Sequence, residues 1–254
     1  MVLPLGDDNR DRTRTPFVNY VFIALNLFVF VFLQGLGGNT GFTYAFSTVP
    51  LEIITGRDIV TPARVAEAVT GQRFLIPGLG ETPLSVYLTL FTSMFMHGGI
   101  AHIFGNMLFL WIFGDNIEDR LGHLRYFVFY LLCGVLASLA HVFTTYAFAA
   151  DQNDLLVPSL GASGAISGVL GGYILLHPSR RVHVILLNIF TAVPAWVAIG
   201  MWFVFQLVSG LGMLGEGSQQ GGVAYAAHIG GFLAGLVLIK FFDMGHSQRP
   251  VRNY

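Results

Sequence analysis

Apolar residues fall in six long runs, at 17–35, 86–113, 126–150, 161–176, 194–211 and 223–242, with short polar connections between most of them. About 20 consecutive apolar residues cross a bilayer core as a helix, so each run predicts a membrane span. The pattern is that of an all-α polytopic membrane protein, a six-helix bundle filling residues 17–242. Residues 1–16 form a polar N-terminal tail and residues 243–254 a polar C-terminal one. Residues 36–86 are the one long connection. There, Thr61-Pro62 ahead of residues 63–69 predicts a short helix with proline at its first position. Ile53, Ile54, Val60, Phe74, Leu75 and Ile76 are too apolar for open solvent and place this first loop partly at the membrane interface. Residues 182–191 are apolar as well, and read either as an interfacial segment or as an extension of the fifth span.

Composition agrees with the pattern. The 254 residues are 54% hydrophobic and 11% charged, against about 25% charged in ordinary soluble domains. Mean hydropathy is +0.66. A net charge of −1 without a basic cluster excludes a nucleic-acid partner. The lone cysteine, Cys133, excludes an intrachain disulfide. The acids in the N-terminal tail argue against a transit peptide, and the first run reads as a retained anchor. Arginines accumulate in the N-terminal tail and at Arg120, Arg125, Arg180 and Arg181, while the loops near 151–160 and 212–222 have none. Short cytoplasmic loops hold the excess of positive charge, so both termini are expected in the cytoplasm.

With that orientation, spans two, four and six all run inward from the outer face. Ser163 begins span four, His228 lies five residues into span six, and His102 and Asn106 lie in the outer half of span two, after His97. At about 1.5 Å per residue these side chains share one layer. Polar groups inside a membrane are rare and mark functional interiors. Gly164, Gly168 and Gly172 repeat every fourth residue, as do Ala227, Gly231 and Gly235, and such small-residue stripes let membrane helices approach closely. Stripe against stripe brings His228 beside Ser163. A serine hydroxyl needs a base to become a nucleophile, and an oxyanion needs donors, for which His102, Asn106 and the amides opening span four are available. Gly161 keeps the nucleophile's surroundings thin. No carboxylate stands at this depth as a third member, which leaves a Ser–His dyad. His-Glu-x-x-His is absent, so neither a metal nor another cofactor is expected.

Together, Gly161-Ala162-Ser163-Gly164, His97-x4-His102-x3-Asn106 and Ala227-His228-x2-Gly231-x3-Gly235 resemble the rhomboid intramembrane serine proteases, bacterial type. The resemblance implies Ser163 as nucleophile, His228 as base, and His102 and Asn106 as oxyanion donors, with His97, Gly161 and Ser167 in support. It also implies cleavage of single-span membrane proteins near the outer face of a bacterial inner membrane. Residues 114–122, with Glu118, look like the family's turn after span two, and Glu118 is expected to pair with Arg120 or cap a turn. Family members often carry an aromatic four residues after the nucleophile. This chain has Ser167 there, expected to hold the histidine or to pack nearby. It also lacks the Trp-Arg pair of some first loops. Residues 210–222, rich in glycine, are expected to cap the site. The competing reading is a silent rhomboid-like protein that binds membrane clients, which would be expected to lack the serine or the histidine.

Overall fold

A computed structural model describes residues 2–67, 73–149, 151–186, 189–213 and 225–244. Its helices are α1 (Phe17–Leu33), α2 (Thr40–Ala45), α3 (Pro50–Thr55), α4 (Val86–Phe95), α5 (Ile100–Leu121), α6 (His123–Phe148), α7 (Ser163–Leu176), α8 (Ala195–Met213) and α9 (Tyr225–Phe242). Helices α5, α6 and α9 are long and apolar enough to cross a membrane alone, while α1, α4, α7 and residues 195–210 of α8 are shorter apolar helices. This is a helical membrane bundle. It also contains strands: β1 (Val2–Asp7), β2 (Arg64–Glu67), β3 (Arg73–Ile76), β4 (Arg181–Leu186) and β5 (Ile189–Pro194).

The strands correct three expectations. Of the expected helix at 63–69, residues 68 and 69 lie outside the described residues, and Arg64–Glu67 is a strand instead, pairing antiparallel with Arg73–Ile76, because the β-prone stretch at 73–76 supplies a ladder that outweighs weak local helix preference. In the apolar stretch 182–191, the described residues belong to two antiparallel strands, β4 and β5, rather than to a flat interfacial segment or to span five. The N-terminal tail joins these two as a third strand, in the order β1-β4-β5. Pro4, which has no N–H to give a ladder, sits in an outer strand of this sheet, and the register shifts between Pro4 and Gly6. The sheet packs on α8, and β1 also reaches α5.

Span two is also shorter at its start than the apolar run. Gly98 and Gly99 interrupt the helix, since glycine costs about 1 kcal/mol at each helical site, and α5 begins at Ile100. At its other end α5 continues through a wide turn at Leu110–Gly114. The side chain of Asn19 uses a carbonyl there, donating from Nδ2 to Leu110 O at 2.9 Å. Glu118, buried near the end of α5, accepts from the N–H groups of Val18 and Asn19 at 2.8 and 2.7 Å. It therefore caps the start of α1, where orphan donors and the helix dipole favour an anion. Arg120 instead holds Asp243 after α9, at 2.6 and 2.9 Å. The start of α1 and the segment after α9 thus both meet the end of α5.

Helix α9 packs most closely on α7 and α6. A Cβ at Gly231 would lie 2.1 Å from Gly164 O, and one at Gly235 would lie 2.0 Å from Gly168 O. The expected stripe contact is therefore made, with one change of detail. Gly172 faces Ile239 and Phe129 side chains, and Gly171 is the glycine whose backbone meets α9, its Cβ position 2.2 Å from Phe232 O.

Two stability measurements follow. Gly235→Ala should lower the thermal unfolding temperature in micelles, by an overpacking penalty of at least about 1–3 kcal/mol; Gly200→Ala, where a Cβ meets nothing within 4 Å, should be neutral or stabilising. At the sheet, Asp7 accepts from Tyr173 Oη at 2.5 Å and from Asn116 Nδ2 at 2.8 Å. Burial pushes its carboxyl up from 3.8 to about 6; Asp115 adds to this, and Tyr173 and Arg180 oppose it. The folded state then binds the proton more tightly than the unfolded one, so Asp7 makes stability fall as pH rises from about 4 to 6. Asp7→Asn should remove that part of the slope, which is less than about 1.4 kcal/mol per pH unit.

Candidate active site

Gly161 opens the site with φ +123°, a conformation that favours glycine. Its N–H donates to Ser93 O at 2.9 Å. The preceding Ser159 pairs with Thr48 of the first loop, N–H to O in both directions, at 2.8 and 3.0 Å. Thr48 Oγ1 in turn lies 3.0 Å from Thr89 O and from Ser93 Oγ. The long first loop and α4 thus clamp the segment that enters α7. Ser163 is the first residue of that helix, half-buried where its neighbours deeper in the helix are fully buried.

Ser163 Oγ lies 2.7 Å from His228 Nε2. The ring of His228 is flanked by Trp202 of α8, with centroids 6.1 Å apart, and by Tyr225 of its own helix, at 6.5 Å. Its Nδ1 lies 2.9 Å from Gln206 Oε1, on α8. With Nδ1 giving its proton to that carbonyl, Nε2 is free to accept from the serine.

His102 also stands near Ser163. The N–H of Gly98 donates to its Nδ1 at 3.3 Å, which leaves the ring proton on Nε2. That nitrogen lies 2.8 Å from the Cβ position of Gly161, a point only 3.6 Å from Ser163 Oγ. Asn106, one turn further along α5, is 7% exposed, and its Nδ2 has no protein partner. A buried amide left without a partner costs about 1–3 kcal/mol. On one face of α5 there is thus a ring N–H close to Ser163, that of His102, and one turn further a buried amide N–H without an acceptor among the described residues, that of Asn106.

His97 is fully buried and does not reach the serine. Its ring packs edge-on against His102 at 5.1 Å and against Phe30 at 6.5 Å. Its backbone is paired by the Gln34 amide, which accepts from His97 N–H at 3.0 Å and donates to His97 O at 2.9 Å. Ser167 does not hold the histidine either: its Oγ donates to Ser163 O at 2.6 Å, the usual back-bond of a serine inside a helix. A cavity of about 20 Å³ adjoins Ser163, which lines it together with Ser93, Ser138 and Ser159 among others. Most of the expected cap, residues 214–222, lies outside the described residues, while residues 210–213 are the end of α8.

The Rhomboid domain profile matches residues 85–243, from α4 to the end of α9. The chain belongs to the rhomboid family. Over 221 residues it is 28% identical to the rhomboid protease GluP of Bacillus subtilis, covering 87% of this chain and 34% of that one. It is 33% identical over 150 residues to the mitochondrial rhomboid protein 1 of Saccharomyces cerevisiae, covering 59% and 40%. The presenilin-associated rhomboid-like protein A of Danio rerio mitochondria is 32% identical over 191 residues, 71% of this chain and 49% of that one. The chain spans less than half the length of these relatives. Membership makes it an integral membrane protein of a family that includes serine intramembrane proteases.

The spacing motifs singled out Ser163, His102 and His228, which the structure brings together. They gave no hint of Gln206, whose only sequence signal is an amide within the apolar run of the fifth span. Gly161→Ala tests the local geometry: a new Cβ meets the His102 ring at 2.8 and 2.9 Å and must adopt φ +123°. Any activity that relies on Ser163 should fall about tenfold or more, with little change in thermal stability of the bundle.

Proposed function

We propose that this rhomboid is an intramembrane serine endopeptidase that cleaves single-span membrane proteins near the outer membrane face. The observation that carries the reading is Ser163 Oγ at 2.7 Å from His228 Nε2, with the His102 ring close by and Asn106, its amide N–H unpartnered among the described residues, one turn further along α5. A soluble enzyme could place such a pair in a cleft; here it lies among membrane helices, so the substrate comes from the bilayer. Both termini are assigned to the cytoplasm of a bacterial inner membrane, in keeping with the arginine distribution.

The substrate helix enters from the lipid between α5 and α8 and unwinds at its outer end, since an intact helix keeps its carbonyls in internal hydrogen bonds. Ser163 Oγ attacks the scissile carbonyl carbon while its proton passes to His228 Nε2. The oxyanion takes hydrogen bonds from His102 Nε2–H, Asn106 Nδ2–H and the first amides of α7, whose helix terminus adds positive potential. As the C–N bond breaks, His228 returns the proton to the leaving amine. Water, for which a cavity of about 20 Å³ beside Ser163 has room, then cleaves the acyl ester by the same relay and restores the serine.

The test is cleavage of a single-span substrate in proteoliposomes. Ser163→Ala and His228→Ala should each lower turnover by about 10⁴-fold or more, and His102→Ala or Asn106→Ala by about 10²–10³-fold. Ser167→Ala should cleave within about fivefold of wild type, since a lost back-bond alters only about 1 kcal/mol. Full cleavage by Ser163→Ala would contradict the assignment, and a wild type that binds substrate without cutting would favour the client-binding reading.

A further inference from the structure

A neutral imidazole carries one proton, and only the tautomer with that proton on Nδ1 can accept from Ser163 through Nε2. Serine hydrolases commonly fix this tautomer with a buried carboxylate on Nδ1. Among the described residues no carboxylate touches His228. The group found there is the amide of Gln206, with Oε1 at 2.9 Å from Nδ1.

The placement of Gln206 is selective. On α8, Val204, Phe205 and Val208 are 57–65% exposed, toward what is lipid in a membrane, while Gln206 is 6% exposed. Burying an amide among apolar helices is costly unless it finds a hydrogen-bond partner, and here that partner is the base. The surrounding contacts hold the same alignment: Phe203 stacks on Phe232 with centroids 4.3 Å apart, and Trp202 lies against the His228 ring. The amide is neutral. It fixes the tautomer and ring angle but, unlike a carboxylate, adds no charge to stabilise the imidazolium.

We propose that Gln206 is a positioning residue for His228, its side-chain carbonyl taking the Nδ1–H and so aiming the Nε2 lone pair at Ser163. The inference rests on the serine-protease reading above. It also makes the readiness of the base depend on where α8 sits, because the bond joins α8 to α9.

The test compares wild type, Gln206→Met and Gln206→Glu, full-length in proteoliposomes, with Ser163→Ala as the reference. Gln206→Met keeps the length of the side chain and removes the acceptor. It should lower kcat by about tenfold or more and leave KM within about twofold. Gln206→Glu restores an acceptor at the same place and adds a charge. It should recover most of kcat, and the acid limb of its kcat/KM profile should move up by about one pH unit or more. The titratable neighbours of His228 on the other helices, His102 and His141, are the same in all variants, so that movement reports on residue 206. Gln206→Met with kcat within about twofold of wild type, or a Gln206→Glu profile that overlays wild type, overturns the proposal. If Gln206→Met fails to fold, as judged by its thermal unfolding, the profile of the isosteric Gln206→Glu decides alone. Cleavage that persists in Ser163→Ala, or is absent from wild type, would instead overturn the protease reading.

Discussion

Where α7 crosses α9 the two backbones meet without side chains between them. A Cβ at Gly231 or Gly235 would fall 2.1 or 2.0 Å from a carbonyl oxygen of α7, so only glycine fits at either place. This approach fixes the sideways position of α9 and, with the helix period, the direction in which His228 points. Because the crossing starts near the first turn of α7, the ring arrives at Ser163 and not deeper in the membrane. Membrane helices gain little from hydrophobic contact with one another, so tight backbone packing is what makes such a register reproducible.

The nucleophile needs a second constraint, from outside the crossing. Gly161, Ser159, Thr48 and Ser93 are joined by backbone and hydroxyl hydrogen bonds, so the entry to α7 is held by the first loop and by α4. The break at Gly98-Gly99 has a corresponding effect on the oxyanion side. It frees the N–H of Gly98 to bind His102 Nδ1, and so selects which nitrogen of that ring faces the serine. A loop, a helix break and a helix crossing thus converge on one point. Each of them sets a tautomer, a backbone conformation or a distance that the chemistry needs.

Much of this was legible in the sequence. The fourth-residue repeats of small residues predicted the approach of α7 to α9, and helix rise put Ser163, His102, Asn106 and His228 at one depth. What stayed illegible depended on rotation or on long-range partners. The fifth span carries no small-residue stripe to fix its facing side, so the inward turn of Gln206 could not be deduced. Glu118 has an arginine two residues away in sequence, yet it caps α1, about a hundred residues earlier. Ser167 has the right spacing to approach His228, but the carbonyl one turn back is nearer. The strands were missed because a ladder partner cannot be seen locally: residues 2–7 read as part of a polar tail, residues 64–67 as a proline-started helix, and residues 181–186 with 189–194 as an interfacial segment or part of the fifth span.

The central claim is that Ser163 is the activated nucleophile of this site, and covalent labelling addresses it without any knowledge of the natural substrate. Intact protein in membranes would be treated with a fluorophosphonate, digested, and the modified residue located by mass spectrometry. The account predicts a single phosphonylated serine, Ser163, with labelling lost in His228→Ala. Modification at Ser167, or labelling of Ser163 that persists unchanged without His228, would contradict it.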